Sequence, residues 1–315
     1  MEKLVLAADL GGTNLRMAVV NSYGNIVHRS KVCTPQSGRR EDVLDAITAS
    51  FERCVAEASD GGSVVAFGAA VPATVNSRDG VILRSPNLSV LNGFEFTSVF
   101  SDRLGLPVVL ENDANSAAVG ENWKGASRGI QNSICVTLGT GVGGGIIIDG
   151  KLLRGVDGTA GEIGHIAVEP EGYPCGCGSR GCVEQYSSAI GIKNLAAELA
   201  GRFPNNGLSG EGDITPLKVY EAGLAGDEMS IEIFRSFGIY LGIALGGLVN
   251  VLNPEAIVIG GGVSAGWDLF IEPLREEILR RAFPHPAERV RLMRSKLDDD
   301  AGILGAAFLA LEAVS

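Results

Sequence analysis

A histidine and a group of cysteines give this sequence a set of side chains suited to binding a metal ion. His165 precedes Cys175, Cys177 and Cys182 in the stretch GHIAVEPEGYPCGCGSRGC. One imidazole and three thiolates are typical of tetrahedral zinc, and because they leave no coordination position open, the predicted zinc is structural. Glycines between the cysteines supply the permissive backbone that the tight Cys-x-Cys spacing requires. A redox-active pair or a disulfide is the alternative interpretation of these cysteines.

A run of polar residues, ENDAN, follows a short apolar strand and could carry acid–base chemistry. Open α/β sheets bind ligands at the carboxyl ends of their strands, and Glu111, Asn112 and Asp113 come at such an end. Asp113 in that position would be a good general base for deprotonating an alcohol. Asn112 could donate hydrogen bonds to neighbouring hydroxyl groups and accept hydrogen bonds from them. Alternatively, the Asp-Ala-Asn run only caps the helix that follows.

Two glycine-rich turns have the character of phosphate-binding segments. In LVLAADLGGTNLRMAVV and in SICVTLGTGVGGGIIIDG, a turn with glycine and threonine connects two apolar strands. Each turn offers backbone amides and a hydroxyl, so two such turns facing each other across a cleft could bind the phosphates of one nucleotide. The shared plan predicts a duplicated α/β domain. An ordinary hairpin is the alternative for the first turn, and the sequence lacks the Gly-x-x-x-x-Gly-Lys-Ser/Thr motif of P-loop NTPases.

The elements that would position these residues alternate between strand and helix. Apolar strands precede the polar segments, and residues 41–59 show the helical spacing of apolar side chains. The alternation predicts mainly parallel sheets with helices outside, plus some hairpins. The run GIYLGIALGGLVNVLNP is shorter than a membrane span and predicts a buried helix notched by glycine. The C-terminal GILGAAFLALEAV predicts an apolar helix that packs on the first domain, and residues 201–213 predict a flexible insert.

Length and charge narrow the class of protein. The chain has 315 residues, a length typical of two domains, and a net charge of −11 at pH 7. That charge disfavours DNA, RNA and anionic membranes as partners. It is compatible with a phosphorylated ligand, because backbone amides can bind phosphate without lysine. Asp9 interrupts the apolar residues near the N-terminus, so no signal peptide is predicted and a cytoplasmic location is expected.

Together, these motifs closely resemble those of the ROK family (repressors, open reading frames and kinases), and within it the bacterial ATP-dependent glucokinases. DLGGT, SPNL, ENDAN, TLGTGVGGG, GEIGH and CGCGSRGCVEQY occur in the family's order and span essentially the whole chain. The resemblance implies an α/β fold, the two-domain actin-like (ribonuclease H-like) ATPase fold with an interdomain cleft. We therefore expect a smaller α/β domain at residues 1–114 plus 300–315, and a larger one with the zinc knuckle at residues 115–299.

The resemblance also implies roles for individual residues. Asp113 would be the catalytic base that takes the proton from the C6 hydroxyl of a hexose, whose oxygen then attacks the γ-phosphate of ATP. The residues expected to bind the sugar are Asn87, Asn112, Asp113, Glu162, His165 and Glu184. Those expected to bind ATP and to orient its Mg²⁺ are Asp9, Gly11, Gly12, Thr13, Thr140, Gly141, Gly261 and Gly262. His165, Cys175, Cys177 and Cys182 would hold the zinc.

The function implied by the resemblance is ATP-dependent phosphorylation of glucose to glucose 6-phosphate. N-acetylglucosamine, N-acetylmannosamine or another hexose is the alternative substrate. The expected cofactors are ATP, Mg²⁺ and structural Zn²⁺, and the expected assembly is a homodimer or a tetramer. A sugar-responsive repressor is the alternative from another class, but such members carry a helix-turn-helix domain before the first phosphate motif, which begins here at Asp9. A polyphosphate-dependent kinase is a further alternative, disfavoured because those relatives lack the zinc cysteines.

Overall fold

The computed structural model describes residues 2–58, 62–204, 206–208 and 213–315. By its internal packing the chain divides into two compact units. Unit one comprises Met1–Gln131, Gly145–Gly161 and Lys296–Ser315, and unit two comprises Asn132–Gly144 and Glu162–Ser295. The flexible insert predicted at residues 201–213 falls partly on positions that lie outside the described residues.

Strands and helices alternate along the chain, as the apolar pattern predicts. The strands are β1 (Lys3–Leu10), β2 (Asn14–Asn21), β3 (Ile26–Cys33), β4 (Ser63–Val71), β5 (Thr74–Asn76), β6 (Val81–Arg84), β7 (Val108–Asn112), β8 (Ser133–Leu138), β9 (Val142–Ile148), β10 (Lys151–Leu152), β11 (Ala256–Gly260) and β12 (Arg291–Arg294). The helices are α1 (Arg40–Glu57), α2 (Phe96–Leu104), α3 (Asp113–Lys124), α4 (Ala189–Leu199), α5 (Pro216–Leu224), α6 (Glu228–Leu252), α7 (Trp267–Arg281), α8 (Pro284–Arg289) and α9 (Ala301–Glu312).

Unit one is built on a sheet with the strand order β3-β2-β1-β4-β7. β1 and β2 form an antiparallel hairpin, whereas β4 lies parallel to both β1 and β7. The central strands are covered on both faces, which is why β1 is an almost continuous apolar run instead of an alternating one. One row of the sheet joins Asp9 of β1, Ala70 of β4 and Glu111 of β7, so these side chains point to the same face.

Helix α9 packs on the sheet of unit one and on α3. Gly68 of β4 lies against the carbonyl oxygen of Ala306, and Gly305 lies against that of Ser116, so a side chain at either glycine would collide with backbone. The backbones approach this closely because glycine has no Cβ. The predicted packing of the C-terminal apolar helix on the first domain is confirmed.

The second sheet repeats the plan of the first. Its strand order is β10-β9-β8-β11-β12, and β11 lies parallel to both β8 and β12, as β4 does between β1 and β7. The strands β8 and β9 take the places of β1 and β2. The repeat predicted from the two glycine-rich hairpins is therefore present in the topology. The boundary between the units falls inside β9, between Gly144 and Gly145.

Helix α6 is the long apolar helix of unit two. By length and composition alone it could cross a membrane, but its apolar side packs in the core of the unit, where Phe237 and Leu241 are fully buried. Gly238 lies against α7, where a Cβ would collide with the carbonyl oxygen of Phe270. The buried, glycine-notched helix predicted from the apolar run is therefore present.

The division into units differs from the predicted domain bounds. The predicted break after residue 114 falls inside α3, which belongs wholly to unit one, and residues 145–161 also belong to unit one. The physical reason is packing between segments that are distant in sequence. Gly120 of α3 lies against the carbonyl oxygen of Ala301 in α9. A Cβ at Gly145 would lie 2.5 Å from the Cβ of Ala118, which is also in α3.

Candidate functional site

The first glycine-rich turn connects β1 to β2 and presents Gly11, Gly12 and Thr13. Thr34 Oγ1 donates a hydrogen bond to the carbonyl oxygen of Gly11, and Gln36 Nε2 donates to that of Gly12, each at 2.7 Å. The backbone N–H of Thr34 donates to the carbonyl oxygen of Thr13 at 2.9 Å. These bonds satisfy the carbonyl oxygens of the turn and fix its shape.

Asp9 is a partly buried carboxylate at the end of β1, with an arginine beside it. Arg16 occupies the paired position on β2, and its Nη1 lies 3.7 Å from Asp9 Oδ2 while its Nη2 lies 2.8 Å from Asp299. Burial raises the pKa of Asp9 to about 6, a shift that Arg16 opposes and Asp299 reinforces. Arg16 is missing from the predicted site. Counting outward from the hairpin turn would have found it, because cross-strand partners follow from the register.

The ENDAN corner is where β7 ends and α3 begins. Asn112 is the N-cap, and its side-chain oxygen accepts hydrogen bonds from the backbone N–H groups of Ala114 (2.9 Å) and Asn115 (3.0 Å), while its Nδ2 donates to the carbonyl oxygen of Ala73 at 3.1 Å. The cap of α3 is therefore Asn112, one residue before the Asp-Ala-Asn run for which capping was the alternative. Both lone pairs of its oxygen are engaged, so the structure does not support the predicted acceptor role towards hydroxyl groups.

Asp113 is the first residue of α3. Its side chain is half-buried, and Oδ1 accepts a hydrogen bond from the backbone N–H of Ala114 at 2.9 Å. The N-terminus of a helix stabilises negative charge, so the position favours a carboxylate that can accept a further hydrogen bond.

Behind this corner lies an ion pair that no local sequence pattern reveals. Glu111 is 1% exposed, and its Oε2 accepts a hydrogen bond from Nε of Arg154 at 2.8 Å. Its Oε1 accepts hydrogen bonds from the backbone N–H of Asn112 and from Nδ2 of Asn115, both at 3.1 Å. Glu111 and Arg154 are 43 positions apart in sequence, and each alone looks like an ordinary charged residue.

The SPNL segment forms a loop that carries Asn87 to the surface. A Cβ at Gly12 would lie 3.1 Å from the Cβ of Asn87, so Asn87 borders the first glycine-rich turn. Ser85 is buried and its hydroxyl donates to the carbonyl oxygen of Pro72 at 3.3 Å. The carbonyl oxygen of Ala73, the residue after Pro72, accepts a hydrogen bond from Nδ2 of Asn112. The adjacent residues Pro72 and Ala73 therefore anchor the SPNL loop and the ENDAN corner, respectively.

The second glycine-rich turn connects β8 to β9 and carries Thr140 and Gly141. The backbone N–H of Gly139 donates to the carbonyl oxygen of Gly141 at 3.0 Å. The carbonyl oxygen of Gly139 in turn accepts from the N–H of Ala189, the first residue of α4, at 2.9 Å. The turn is therefore anchored to the start of a helix.

Gly261 and Gly262 follow β11 at the same edge of the second sheet. Gly261 has φ +86°, and a Cβ there would lie 2.5 Å from the carbonyl oxygen of Leu138 at the end of β8. A residue other than glycine would be strained and would collide at this position. Because β8 and β11 are parallel, their carboxyl ends bring Gly261 beside the second glycine-rich turn.

The predicted metal ligands come together in unit two. His165, Cys175, Cys177 and Cys182 each offer one ligand atom, and these atoms all lie within 4.8 Å of one another. His165 Nδ1 is 3.6 Å from Cys175 Sγ, and Cys177 Sγ is 3.6 Å from Cys182 Sγ. Ligand atoms around a tetrahedral zinc lie roughly 3.5–3.8 Å apart, so these side chains fit zinc. All three thiols are free in the described residues.

The cysteines of this set lie in different environments. Burial raises the pKa of the thiols of Cys175 and Cys182. A backbone hydrogen bond from Ser179 instead holds the pKa of the exposed Cys177 thiol below its usual value. A thiol binds a metal as thiolate, so each of these cysteines would lose its proton on becoming a ligand.

The carboxylates of Glu162 and Glu184 each lie near one of the two ring nitrogen atoms of His165. Nε2 lies 3.9 Å from Oε2 of Glu162, whereas Nδ1 faces Cys175 and lies 3.6 Å from Oε1 of Glu184. His165 can therefore present Nδ1 to a metal and Nε2 to another ligand. The other carboxylate oxygen of Glu184 faces the second glycine-rich turn, where a Cβ at Gly141 would lie 2.6 Å from it. Glu162 and His165 are three positions apart, and their side chains lie on the same side of this turn.

A model of the ROK family matches residues 5–313. The chain belongs to the ROK family. Among curated ROK relatives, the chain is 36% identical to a glucokinase from Halalkalibacterium halodurans, covering 98% of this chain and 95% of the relative. It is 37% identical to a glucokinase from Streptomyces coelicolor, covering 98% of each chain.

Among solved structures, the chain resembles a ROK family glucokinase from Streptomyces griseus in complex with glucose and AMPPNP. The identity is 38%, the TM-score is 0.81, and the match covers 98% of this chain and 99% of that one. The resemblance inferred from the motifs is therefore confirmed. The predicted class is confirmed as well: the ROK chain has the α/β fold of actin-like ATPases.

Proposed function

We propose that this ROK protein is an ATP-dependent hexose kinase that phosphorylates the 6-hydroxyl of glucose. The observation that carries the proposal is the likeness to the Streptomyces griseus glucokinase that binds glucose and AMPPNP, at 38% identity over 98% of this chain. The curated relatives from Halalkalibacterium halodurans and Streptomyces coelicolor are glucokinases as well. Glucose is therefore the proposed acceptor and ATP the proposed donor.

Asp113 is the proposed general base. Its carboxylate would accept the proton of the C6 hydroxyl as the hydroxyl oxygen forms a bond to the γ-phosphorus. The bond from that phosphorus to the bridging oxygen breaks, and ADP leaves with the electron pair. Two features support the role of Asp113: it lies at the carboxyl end of β7, and the N-terminus of α3 stabilises its ionised form.

Besides Asp113, the side chains proposed to bind sugar hydroxyls are those of Asn87, Asn112, Glu162, His165 and Glu184. Asn112 would donate through its amide nitrogen because its oxygen caps α3. Carboxylates suit this task because each accepts several hydrogen bonds, and a site built on such bonds discriminates strongly against a sugar that lacks a matching hydroxyl.

The glycine-rich turns are proposed to bind ATP. The residues concerned are Gly11, Gly12, Thr13, Thr140 and Gly141 at the phosphates, and Gly261 and Gly262 beside the adenosine. Asp9 is proposed to orient Mg²⁺, and it fits this role because a carboxylate whose pKa is raised by burial gains from a nearby cation. Bound Mg²⁺ would neutralise charge on the phosphates.

A structural zinc ion at His165, Cys175, Cys177 and Cys182 completes the proposal, supported by the spacing of the ligand atoms. By resemblance to the family we also propose a homodimer, with a tetramer as the alternative, and a cytoplasmic location. Metal analysis of the purified protein tests the zinc, and light scattering of the same sample tests the assembly.

The decisive experiment compares hexoses as acceptors. Formation of ADP from MgATP is measured with glucose, mannose, N-acetylglucosamine, N-acetylmannosamine, fructose and allose, and a sample without sugar measures background hydrolysis of ATP. We expect the highest kcat/KM with glucose. A higher value with an N-acetylated sugar or another hexose would reject glucose as the preferred substrate.

Two further arms test the phosphoryl donor and the class of protein. Polyphosphate replaces ATP in the first arm, and turnover above that with ATP would reject ATP as the donor. A gel-shift assay with promoter DNA is the second arm, and tight binding that resists salt would favour a sugar-responsive repressor over a kinase.

A further inference from the structure

We propose that Glu111 and Arg154 form a positioning pair for Asp113, holding the corner between β7 and α3 in the geometry that the reaction requires. The proposal rests on the proposed function, in which Asp113 is the general base. Neither Glu111 nor Arg154 is proposed to touch the sugar or ATP.

Both carboxylate oxygens of Glu111 are engaged, and they bind groups on either side of Asp113. Oε1 accepts from the backbone N–H of Asn112, one residue before Asp113, and from Nδ2 of Asn115, two residues after it, both at 3.1 Å. Asn112 in turn caps the first turn of α3. Glu111 therefore fixes the direction in which the helix leaves the strand.

Arg154 supplies the charge that makes this arrangement stable. A carboxylate that is 1% exposed is costly to bury without a cation, and Nε of Arg154 lies 2.8 Å from Oε2 of Glu111. The backbone of Arg154 is itself anchored, because its carbonyl oxygen accepts from the N–H of Ala160 at 3.2 Å. Gly158 lies in the loop between Arg154 and Ala160. It packs so close to Val75 that a Cβ at Gly158 would lie 2.7 Å from the Val75 carbonyl oxygen.

The side chain of Asn115 depends on Glu111 for its orientation. Asn115 is 1% exposed, and within the described chain its Oδ1 has no hydrogen-bond partner. Its side chain is thus oriented through Nδ2 and Glu111. Losing the carboxylate would release Asn115 and the N–H of Asn112 together, and both flank the proposed base.

Three variants test the pair. Glu111→Gln replaces one acceptor oxygen with an NH2 donor, which must then face either Arg154 or the donors of Asn112 and Asn115. Arg154→Gln leaves a buried carboxylate without its cation. We expect kcat to fall by ~10- to 100-fold in each, the scale on which a displacement of about 1 Å acts, with KM and Kd for glucose within about threefold of wild type. In the double variant two neutral amides can hydrogen-bond, so its loss in kcat should be smaller than the product of the single losses.

Glu277→Gln is the matched control. Glu277 is 5% exposed and binds Arg280 on the same helix, α7, with Nε 2.9 Å from Oε2, so it is another buried glutamate paired with an arginine. We expect this variant to lose stability and to keep kcat per folded site, counted by the stoichiometry of glucose binding.

The outcomes separate positioning from simple stabilisation. The proposal is overturned if kcat in the Glu111 or Arg154 variants falls only in proportion to the number of folded sites. It is also overturned if the loss of kcat is matched by an equal loss of glucose affinity. A crystal structure of the Glu111→Gln variant gives a readout without activity: a shift of the Asp113 carboxylate relative to β7 supports the pair, and an unmoved carboxylate overturns it. Wild-type protein that phosphorylates no hexose would reject the proposed function, and the crystal structure would still decide the pair.

Discussion

The carboxylate of Glu184 accepts a hydrogen bond from the thiol of Cys175, with Oε1 and Sγ 3.1 Å apart. A residue proposed to bind sugar therefore touches a proposed zinc ligand directly. His165 belongs to both sets, because its Nδ1 lies 3.6 Å from Cys175 Sγ and also 3.6 Å from Glu184 Oε1. The arrangement of the proposed zinc ligands is therefore linked to that of His165 and Glu184, which are proposed to bind sugar.

Loss of the metal should therefore weaken sugar binding. We expect Cys177→Ala to remove zinc and to raise Kd for glucose by about tenfold or more, in addition to lowering Tm, because the ligand set orients His165 and Glu184. Metal content is measured by atomic emission and affinity by calorimetry. Cys33→Ala is the control, since Cys33 is an exposed thiol at the end of β3. Zinc-free protein with unchanged affinity and turnover would contradict the role given to the metal.

Replacing the proposed base should separate binding from chemistry. We expect Asp113→Asn to bind glucose within about threefold of wild type and to lose roughly 10²- to 10⁴-fold in kcat, because the amide cannot accept the proton. Calorimetry and a coupled ADP assay measure the two quantities. Asp102→Asn, on the exposed surface of α2, serves as the control. Turnover near the wild-type value in Asp113→Asn would mean that another group is the base.

Asp9 should make stability depend on pH. Burial raises its pKa from 3.8 to about 6, so the folded state holds the proton more tightly than the unfolded chain does. The contribution to the free energy of unfolding is complete below about pH 4 and is lost as the pH rises through about 6. We therefore expect the free energy of unfolding of Asp9→Asn to rise relative to that of wild type as the pH rises, by on the order of 1–2 kcal/mol at pH 7. Urea unfolding in Mg²⁺-free buffer across this range measures the gain, and a gap that does not vary with pH would exclude the effect.

The two glycines Gly305 and Gly247 should respond oppositely to alanine. Gly305 of α9 lies against the carbonyl oxygen of Ser116, so Gly305→Ala should lower the free energy of unfolding by about 2 kcal/mol or more through overpacking. Gly247 of α6 is exposed and has open space around it, so Gly247→Ala should raise that free energy by roughly 0.5–1 kcal/mol through helix propensity. Chemical unfolding measures both, and similar effects of the two changes would refute the packing of α9 on α3.

Local patterns in the sequence predicted much of the fold. The two strand–turn–strand hairpins, the glycine-notched α6 and the C-terminal α9 all follow from apolar spacing and glycine placement, which act over a few neighbouring residues. The cysteine spacing likewise predicted a metal-binding set whose ligand atoms the fold brings within 4.8 Å. Domain bounds were harder to predict, since α3 belongs to unit one through packing on segments distant in sequence, α9 among them.

The sequence by itself determined the chemistry that is available: the carboxylate at Asp113, the thiols, the glycine-rich turns and the family to which they belong. Only the tertiary structure decided how that chemistry is arranged. It commits the oxygen of Asn112 to capping α3, places Arg16 beside Asp9, and pairs Arg154 with a glutamate 43 positions away. The reason is physical, because residue types and short-range spacing are written along the chain, whereas burial and partners depend on segments that meet only when the sheets and helices pack.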